Sequence, residues 1–354
     1  VGLLCFVDTL ASRERSGFYP AGLVTAWGIW LMLVRAQVNR EIITFVLCVL
    51  VLVYFLAGLE AERRKSAYGS PAFLAPLYHT GHIIAFLALI RIYMRPLDEL
   101  LGGDPWTDPM RLWGSADHFL LVIAYLSFAW GRYQEGWGHI AAWLAMIGGG
   151  FIAIVYSRGH GTLATNGAII AAVMVLAERG LYYLTKRGTL HQRRRAVLRL
   201  AWGLYRRPLL VAGWTASVGT IGLALVRNLI LLGGGRIPQT WAAIGLLIIT
   251  ALYALSARMF CRARFVWFAV VVVFVPWTIL TNLGWFTKFK PDLPDFAVSW
   301  VILGWLLFVI SLWVERRAPL AYATPLKTAT HVLLPYSMLW AVANTEASLY
   351  TVGL

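Results

Sequence analysis

The segment Val314-Glu-Arg-Arg-Ala-Pro-Leu-Ala-Tyr-Ala-Thr-Pro-Leu326 carries an arrangement that recurs along the chain. An apolar run ends at Glu315-Arg316, Tyr322 follows, and Pro325 opens the next apolar run. A helix that leaves a bilayer tolerates charge at its end, tyrosine suits the headgroup level, and proline fits a first helical position. We therefore predict a hinge between two membrane-crossing helices, with these residues as interface anchors.

The same order of residue types appears at three earlier places. These are Glu14-Arg15 with Tyr19 and Pro20, Glu62-Arg63 with Tyr68 and Pro71, and a longer version with Glu178-Arg179, Tyr182, Tyr205 and Pro208. With two further junctions that lack the full pattern, the junctions fall near Pro20, Pro71, Trp137, Pro208, Phe265 and Pro325. Their intervals of about 50 to 70 residues are typical of a repeated supersecondary unit. The pattern predicts serial two-helix hairpins.

The composition excludes a water-soluble globular domain. Hydrophobic residues make up 60% of the 354 residues and charged residues 13%, whereas soluble domains average about 25% charged residues. Apolar runs of about 17–25 residues, the span of one bilayer-crossing helix, recur throughout. The predicted fold is an all-α polytopic integral membrane protein of about 11 transmembrane segments, the first of them partial, at Val1–Leu10. Because the chain begins within an apolar run, we expect a portion of a longer protein.

The charge distribution predicts an orientation. The formal net charge is +15, and most basic residues fall in the recurring junctions while the opposite loops hold most acids. By the positive-inside rule the junctions are predicted to be cytoplasmic, in a bacterial inner membrane. Arg35 and Arg40, in an outer turn near Gln37, break this rule. The predicted partners are anionic lipid headgroups and other integral membrane subunits. No nucleic acid is expected, because no soluble module is present to bind it.

A basic stretch divides the predicted fold. Apolar residues recur at helical spacing among the basic residues between 185 and 207, which predicts a basic amphipathic interfacial helix near 189–206. The predicted division is 1–184, 185–207 and 208–354, with hairpin arrays on either side of this linker. The residues expected to contact lipid headgroups are Arg193, Arg194, Arg195, Arg199, Arg206 and Arg207.

Two histidines lie inside a predicted span. His79 and His82 are three residues apart and share one helix face. Ionisable groups in a membrane span are functional candidates, and an imidazole can ligate haem iron or a chlorin magnesium, or relay protons. The favoured interpretation is that both histidines are hydrogen-bonded packing residues; a cofactor site or a proton or substrate path is the alternative.

An acidic outer loop is the second candidate site. Residues 95–109 contain three prolines and two glycines, which predicts an irregular loop before a crossing that begins at Ser115. Asp98, Glu99, Asp104 and Asp108 could bind a divalent ion, as in glycosyltransferases that use lipid-linked sugars. A solvated loop is the favoured interpretation. The three cysteines, Cys5, Cys48 and Cys261, lack the spacing of a metal site.

Four segments of the chain resemble large, uncharacterised bacterial multi-pass proteins built of serial helical hairpins. They are the junctions at Glu62-Arg63 and Glu315-Arg316 and the segments Ala254–Arg258 and Val275–Trp277. This resemblance implies no reaction and assigns no catalytic residue. We expect a non-enzymatic scaffold or accessory subunit of a larger membrane complex. The alternatives are a transporter or flippase for an amphipathic or lipid-linked substrate, and a membrane glycosyltransferase.

Overall fold

The architecture is entirely helical in the part of the chain that the computed structural model describes, residues 18–64, 71–102, 107–157, 160–186, 192–226, 236–285 and 292–342. Nine helices there, α2 to α10, are long and apolar enough to cross a membrane, which confirms an all-helical multi-pass membrane protein. The segment Val1–Leu10 lies outside these residues. The helices are α1 (Phe18–Arg35), α2 (Arg40–Arg63), α3 (Pro71–Leu100), α4 (Asp108–Arg132), α5 (Glu135–Val155), α6 (His160–Lys186), α7 (Gln192–Leu225), α8 (Arg236–Phe260), α9 (Arg264–Asn282), α10 (Leu293–Glu315) and α11 (Leu320–Val342).

Local sequence signals set several helix ends. The Asn39 side chain accepts a hydrogen bond from the backbone N–H of Glu41 at 3.1 Å and so begins α2. Asp292 and Asp295 form a capping box at the start of α10. Charges also favour the ends of α2, because Glu41 lies in its first turn and Arg63 in its last.

The helices fall into two compact units. Unit 1 comprises Val1–Tyr156 and Gly180–Ala212, and unit 2 comprises Ser157–Arg179 and Gly213–Leu354. The bounds differ from the predicted division at 185–207, which stays a prediction.

Neighbouring helices in unit 1 run antiparallel. Glu41 at the start of α2 pairs with Arg95 near the end of α3 at 3.2 Å. At the opposite end Glu62 accepts a hydrogen bond from Tyr78 of α3 at 3.1 Å and one from Arg132 of α4 at 2.7 Å. The end of α2 therefore lies beside the start of α3 and the end of α4, so two arginine-bearing junctions share one end of this unit.

Unit 2 has the same alternation. The Asn282 amide at the end of α9 donates to Gln239 at the start of α8 at 3.4 Å. The last two helices meet at the third described junction, where Glu315 pairs with Lys327 at 2.7 Å. The junction at Glu178-Arg179 is buried, and the Arg179 guanidinium lies 3.9 Å from the Phe260 ring centroid. Each described junction glutamate thus lies beside a basic side chain.

Two prolines that were predicted to open a helix lie inside a helix instead. Pro325 lies inside α11, which begins at Leu320, and Pro208 lies inside α7. The hinge after α10 is consequently short, spanning residues 316–319. An internal proline costs a helix one backbone hydrogen bond, and in a membrane neighbouring groups can compensate for it.

The prediction of an irregular loop over residues 95–109 is also wrong in part. Helix α3 continues through Pro96 to Leu100, and α4 begins at Asp108 with Pro109 in its first turn, well before Ser115. Residues 103–106, including Asp104, lie outside the described part. The Glu41–Arg95 ion pair holds the last turns of α3 against α2, which offsets the unfavourable proline.

The predicted interfacial helix near 189–206 is not seen as a separate element. Residues 192–207 form the first part of α7, which continues through Pro208 for 34 residues in all. At about 1.5 Å per residue α7 is about 50 Å long, about 20 Å more than the hydrocarbon core of a bilayer. Its basic first part can therefore lie outside that core while the apolar remainder crosses it.

Candidate functional site

Four helix segments of unit 1 surround a cavity of about 700 Å³. Its wall comes from the α1–α2 turn, the start of α2, the end of α3 and the first half of α4. The antiparallel packing described above brings these four segments to one end of the unit. We call this space the α1–α4 cavity.

The wall of the α1–α4 cavity combines apolar and charged side chains. Trp30, Val34 and Trp113 are among the apolar ones. Three arginines and three carboxylates are the charged ones: Arg40, Arg91, Arg95, Glu41, Asp98 and Asp117. The wall is thus close to neutral in formal charge and amphipathic in character.

The charged residues are held by contacts between helices. The Arg91 Nε–H donates to the Thr44 hydroxyl at 3.3 Å, so that α3 is joined to α2. Arg95 is paired with Glu41. Arg40 and Asp98 are exposed at the outer part of the wall. The inner wall of the cavity is therefore tied by contacts between helices, whereas its outer part is open to solvent.

Asp117 is the most unusual member of the wall. Its side chain is 2% exposed, and its Oδ1 has no hydrogen-bond partner among the described residues. It lies about 14 Å along α4, and Arg91 lies about the same distance from the end of α3. Carboxylates at such depth are costly unless they are paired or line a cavity, so Asp117 is a candidate for ligand contact.

His79 and His82 do not line the α1–α4 cavity. The Tyr19 hydroxyl lies 2.8 Å from His79 Nδ1, and the Tyr125 hydroxyl lies 3.2 Å from His82 Nδ1. The His82 ring stacks on Trp137, with centroids 4.3 Å apart and planes 11° apart. Each imidazole thus has a tyrosine hydroxyl within hydrogen-bonding distance, but His79 is exposed whereas His82 packs among aromatic rings. A haem or chlorin site, or a proton path, at His79 and His82 stays a prediction.

The structure brings only part of the predicted acidic set together. Asp98 lines the α1–α4 cavity, whereas Glu99 and Asp108 both pair with Arg111, at 3.9 and 3.0 Å. Asp104 lies outside the described residues. Within the described ranges no group of three or more His, Cys, Asp or Glu could hold a metal ion. A divalent-ion site would thus need residues beyond these three.

The predicted headgroup-binding arginines separate into distinct environments. Arg195 and Arg199 line a second cavity of about 470 Å³ together with Lys186. Arg206 lies over the Trp202 ring at 4.8 Å, and Arg207 lies 3.8 Å from Glu135. Arg194 is exposed. The side chain of Arg193 lies outside the description.

Sequence reasoning missed Glu41, Arg91, Arg95 and Asp117 as members of one site. A signal was present, because Arg91 and Asp117 are charges inside long apolar runs, where membrane spans rarely carry them. Arg40, which broke the positive-inside rule, also lines the cavity. Only the packing of α2 against α3 and α4 brings these residues together.

No protein family, curated protein or solved structure matches this chain.

Proposed function

We propose that the protein is a transporter or flippase that binds an amphipathic, phospholipid-like molecule in the α1–α4 cavity. The observation that carries this proposal is the placement of Arg91 and Asp117 in one cavity wall, each about 14 Å from the helix end. Opposite charges at that distance from the helix ends can each contact a polar headgroup that enters between the helices.

The size and lining of the cavity suit such a ligand. Small-molecule sites usually enclose about 300–1,000 Å³ and combine apolar walls with a few placed polar groups. The α1–α4 cavity, at about 700 Å³, falls within this range. The arginines can donate to a phosphate, and Asp117 can accept from an ammonium or hydroxyl group. Trp30 and Trp113 supply apolar surface for the adjoining part of a lipid.

The proposal differs from the leading sequence-based prediction. A scaffold or accessory subunit has no need of buried charges around a cavity, although that prediction stays open. The proton or substrate path that is the alternative interpretation of His79 and His82 would lie elsewhere, because the α1–α4 cavity is built from other residues. The glycosyltransferase alternative rests on a divalent-ion site at Asp98, Glu99, Asp104 and Asp108. Within the described residues no group of three or more His, Cys, Asp or Glu fits a metal ion, and Asp104 lies outside them.

Lipid movement in proteoliposomes tests the proposal. The purified protein is placed in phosphatidylcholine vesicles with a trace of fluorescent phosphatidylethanolamine or phosphatidylglycerol, and dithionite reports movement between leaflets. We expect Arg91→Gln and Asp117→Asn to slow the movement at least about tenfold, because each removes a charge-assisted contact. Arg64→Gln and Asp108→Asn are matched controls outside the cavity and should keep the rate of the unmodified protein. Movement no faster than in protein-free vesicles would favour the scaffold.

A further inference from the structure

The second cavity is formed by the end of α6 and the start of α7, within unit 1. Its lining consists of Tyr182, Thr185, Lys186, Arg195, Arg199 and Trp202. We call it the basic pocket. Arg195, Arg199 and Trp202 are spaced by four and three residues, so they share one face of α7. Lys186 comes from a different helix, and the two helices thus bring three cations around one space.

The basic pocket differs from the α1–α4 cavity in its charge balance. The described residues that line it include three basic and no acidic side chain, whereas arginines and carboxylates are equal in number around the α1–α4 cavity. Lys186 and Arg199 come from different helices and line the same space. A phosphate group between them could accept charge-assisted hydrogen bonds from both side chains.

An aromatic pair forms part of the pocket wall and positions one of its cations, Lys186. The rings of Tyr182 and Trp202 lie 5.5 Å apart, and the Lys186 ammonium lies 4.7 Å from the Tyr182 centroid. The Thr185 hydroxyl donates to the Tyr182 backbone carbonyl at 2.6 Å, which fixes the last turn of α6. Because the aromatic wall is built before any ligand binds, the ordering cost of binding is reduced.

We propose that the basic pocket binds a phosphate-bearing anionic group, with Lys186 and Arg199 as the main ligands. Under this proposal, some of the predicted headgroup-binding arginines belong to a defined site and the others do not. Arg194 and Arg207 carry the same charge on the same helix but do not line the pocket. A diffuse attraction of the basic helix to anionic lipid would use all of them alike, whereas a defined pocket distinguishes between them. The inference is independent of the transport proposed for the α1–α4 cavity.

Binding to the detergent-solubilised full chain tests this assignment. The probes are short-chain phosphatidic acid, inorganic pyrophosphate and, as a zwitterionic comparison, short-chain phosphatidylcholine, each titrated by native mass spectrometry or thermophoresis. We expect Lys186→Gln and Arg199→Gln each to weaken the phosphatidic acid complex at least about tenfold. Arg194→Gln and Arg207→Gln should change it less than about twofold, since neither side chain lines the pocket and salt screens the remaining attraction.

The two phosphate probes distinguish the source of the anion. Binding of phosphatidic acid alone assigns the pocket to a lipid headgroup, and binding of both probes assigns it to the phosphate group itself. Equal losses in all four variants would overturn the proposal in favour of a diffuse basic surface. Phosphatidylcholine binding as tight as phosphatidic acid would overturn it as well. Thermal unfolding of each variant, unchanged from that of the unmodified chain, separates lost binding from lost folding.

Discussion

Glu62 and Arg132, which are 70 residues apart in the chain, form an ion pair of 2.7 Å between the ends of α2 and α4. The same carboxylate accepts a hydrogen bond from Tyr78 of α3. One side chain of the recurring junction therefore ties three helix ends together. The junction glutamate is thus a structural contact as well as a residue that suits the membrane interface.

Removing this carboxylate should destabilise unit 1. Both partners are about one-third exposed, so solvent screening limits the effect, and we expect Glu62→Gln to lower the free energy of unfolding by about 1 kcal/mol. Thermal unfolding in detergent measures it. Glu60→Gln is the matched control on the same helix, because its pair with Arg64 is largely solvent-exposed. An equal loss of stability in Glu60→Gln would contradict the role given to Glu62.

Close packing of α6 and α8 in unit 2 depends on Gly245. A Cβ atom at this position would lie 2.9 Å from the backbone nitrogen and Cα of Thr165. Since backbone cannot move aside as a side chain can, Gly245→Ala should cost about 1–3 kcal/mol of stability. Gly219→Ala is the control, because a Cβ there meets nothing within 4 Å, and the higher helix propensity of alanine should leave stability unchanged or slightly increased. A Gly245→Ala protein as stable as the parent would refute this contact.

Replacement of His79 and His82 by leucine should leave the protein folded. The double variant loses the contacts to Tyr19 and Tyr125, at a cost of about 1 kcal/mol each, but keeps most of the apolar volume. Size-exclusion chromatography should show an unchanged elution volume. Absorption spectra of the parent protein and the double variant test the alternative. A visible band that the parent shows and the variant lacks would identify a histidine-bound pigment.

Composition and run length predict the class of this fold well. The apolar segments predicted about eleven crossings, and nine helices among the described residues are long and apolar enough to cross a membrane, since a helix is the only way for an isolated segment to satisfy its backbone in lipid. The turn near Gln37 was also predicted, and Asn39 caps the helix after it. These features depend on local sequence, which is why they are accessible without a structure.

The errors arise where tertiary contacts decide. The proline and acidic residues of 95–109 predicted an irregular loop there. Helix α3 nevertheless continues to Leu100, because the Glu41–Arg95 pair supports its last turns. Ser115, expected to start a helix, lies inside α4 and donates to the Gly148 carbonyl at 2.9 Å. The α1–α4 cavity could not be predicted from spacing, since Glu41, Arg91 and Asp117 meet only through the packing of three helices.

The most direct test of the account is to capture the occupant of the α1–α4 cavity. Benzoylphenylalanine replaces Trp113, which lines the cavity, or Trp267 of unit 2, which is similarly exposed. Each protein is expressed in cell membranes, extracted, washed free of loosely bound lipid and irradiated. Mass spectrometry of the intact chain should show one dominant amphiphile adduct at Trp113 that Asp117→Asn with Arg91→Gln abolishes. The absence of any adduct at Trp113, or the same adducts at Trp267, would contradict a binding function for this cavity.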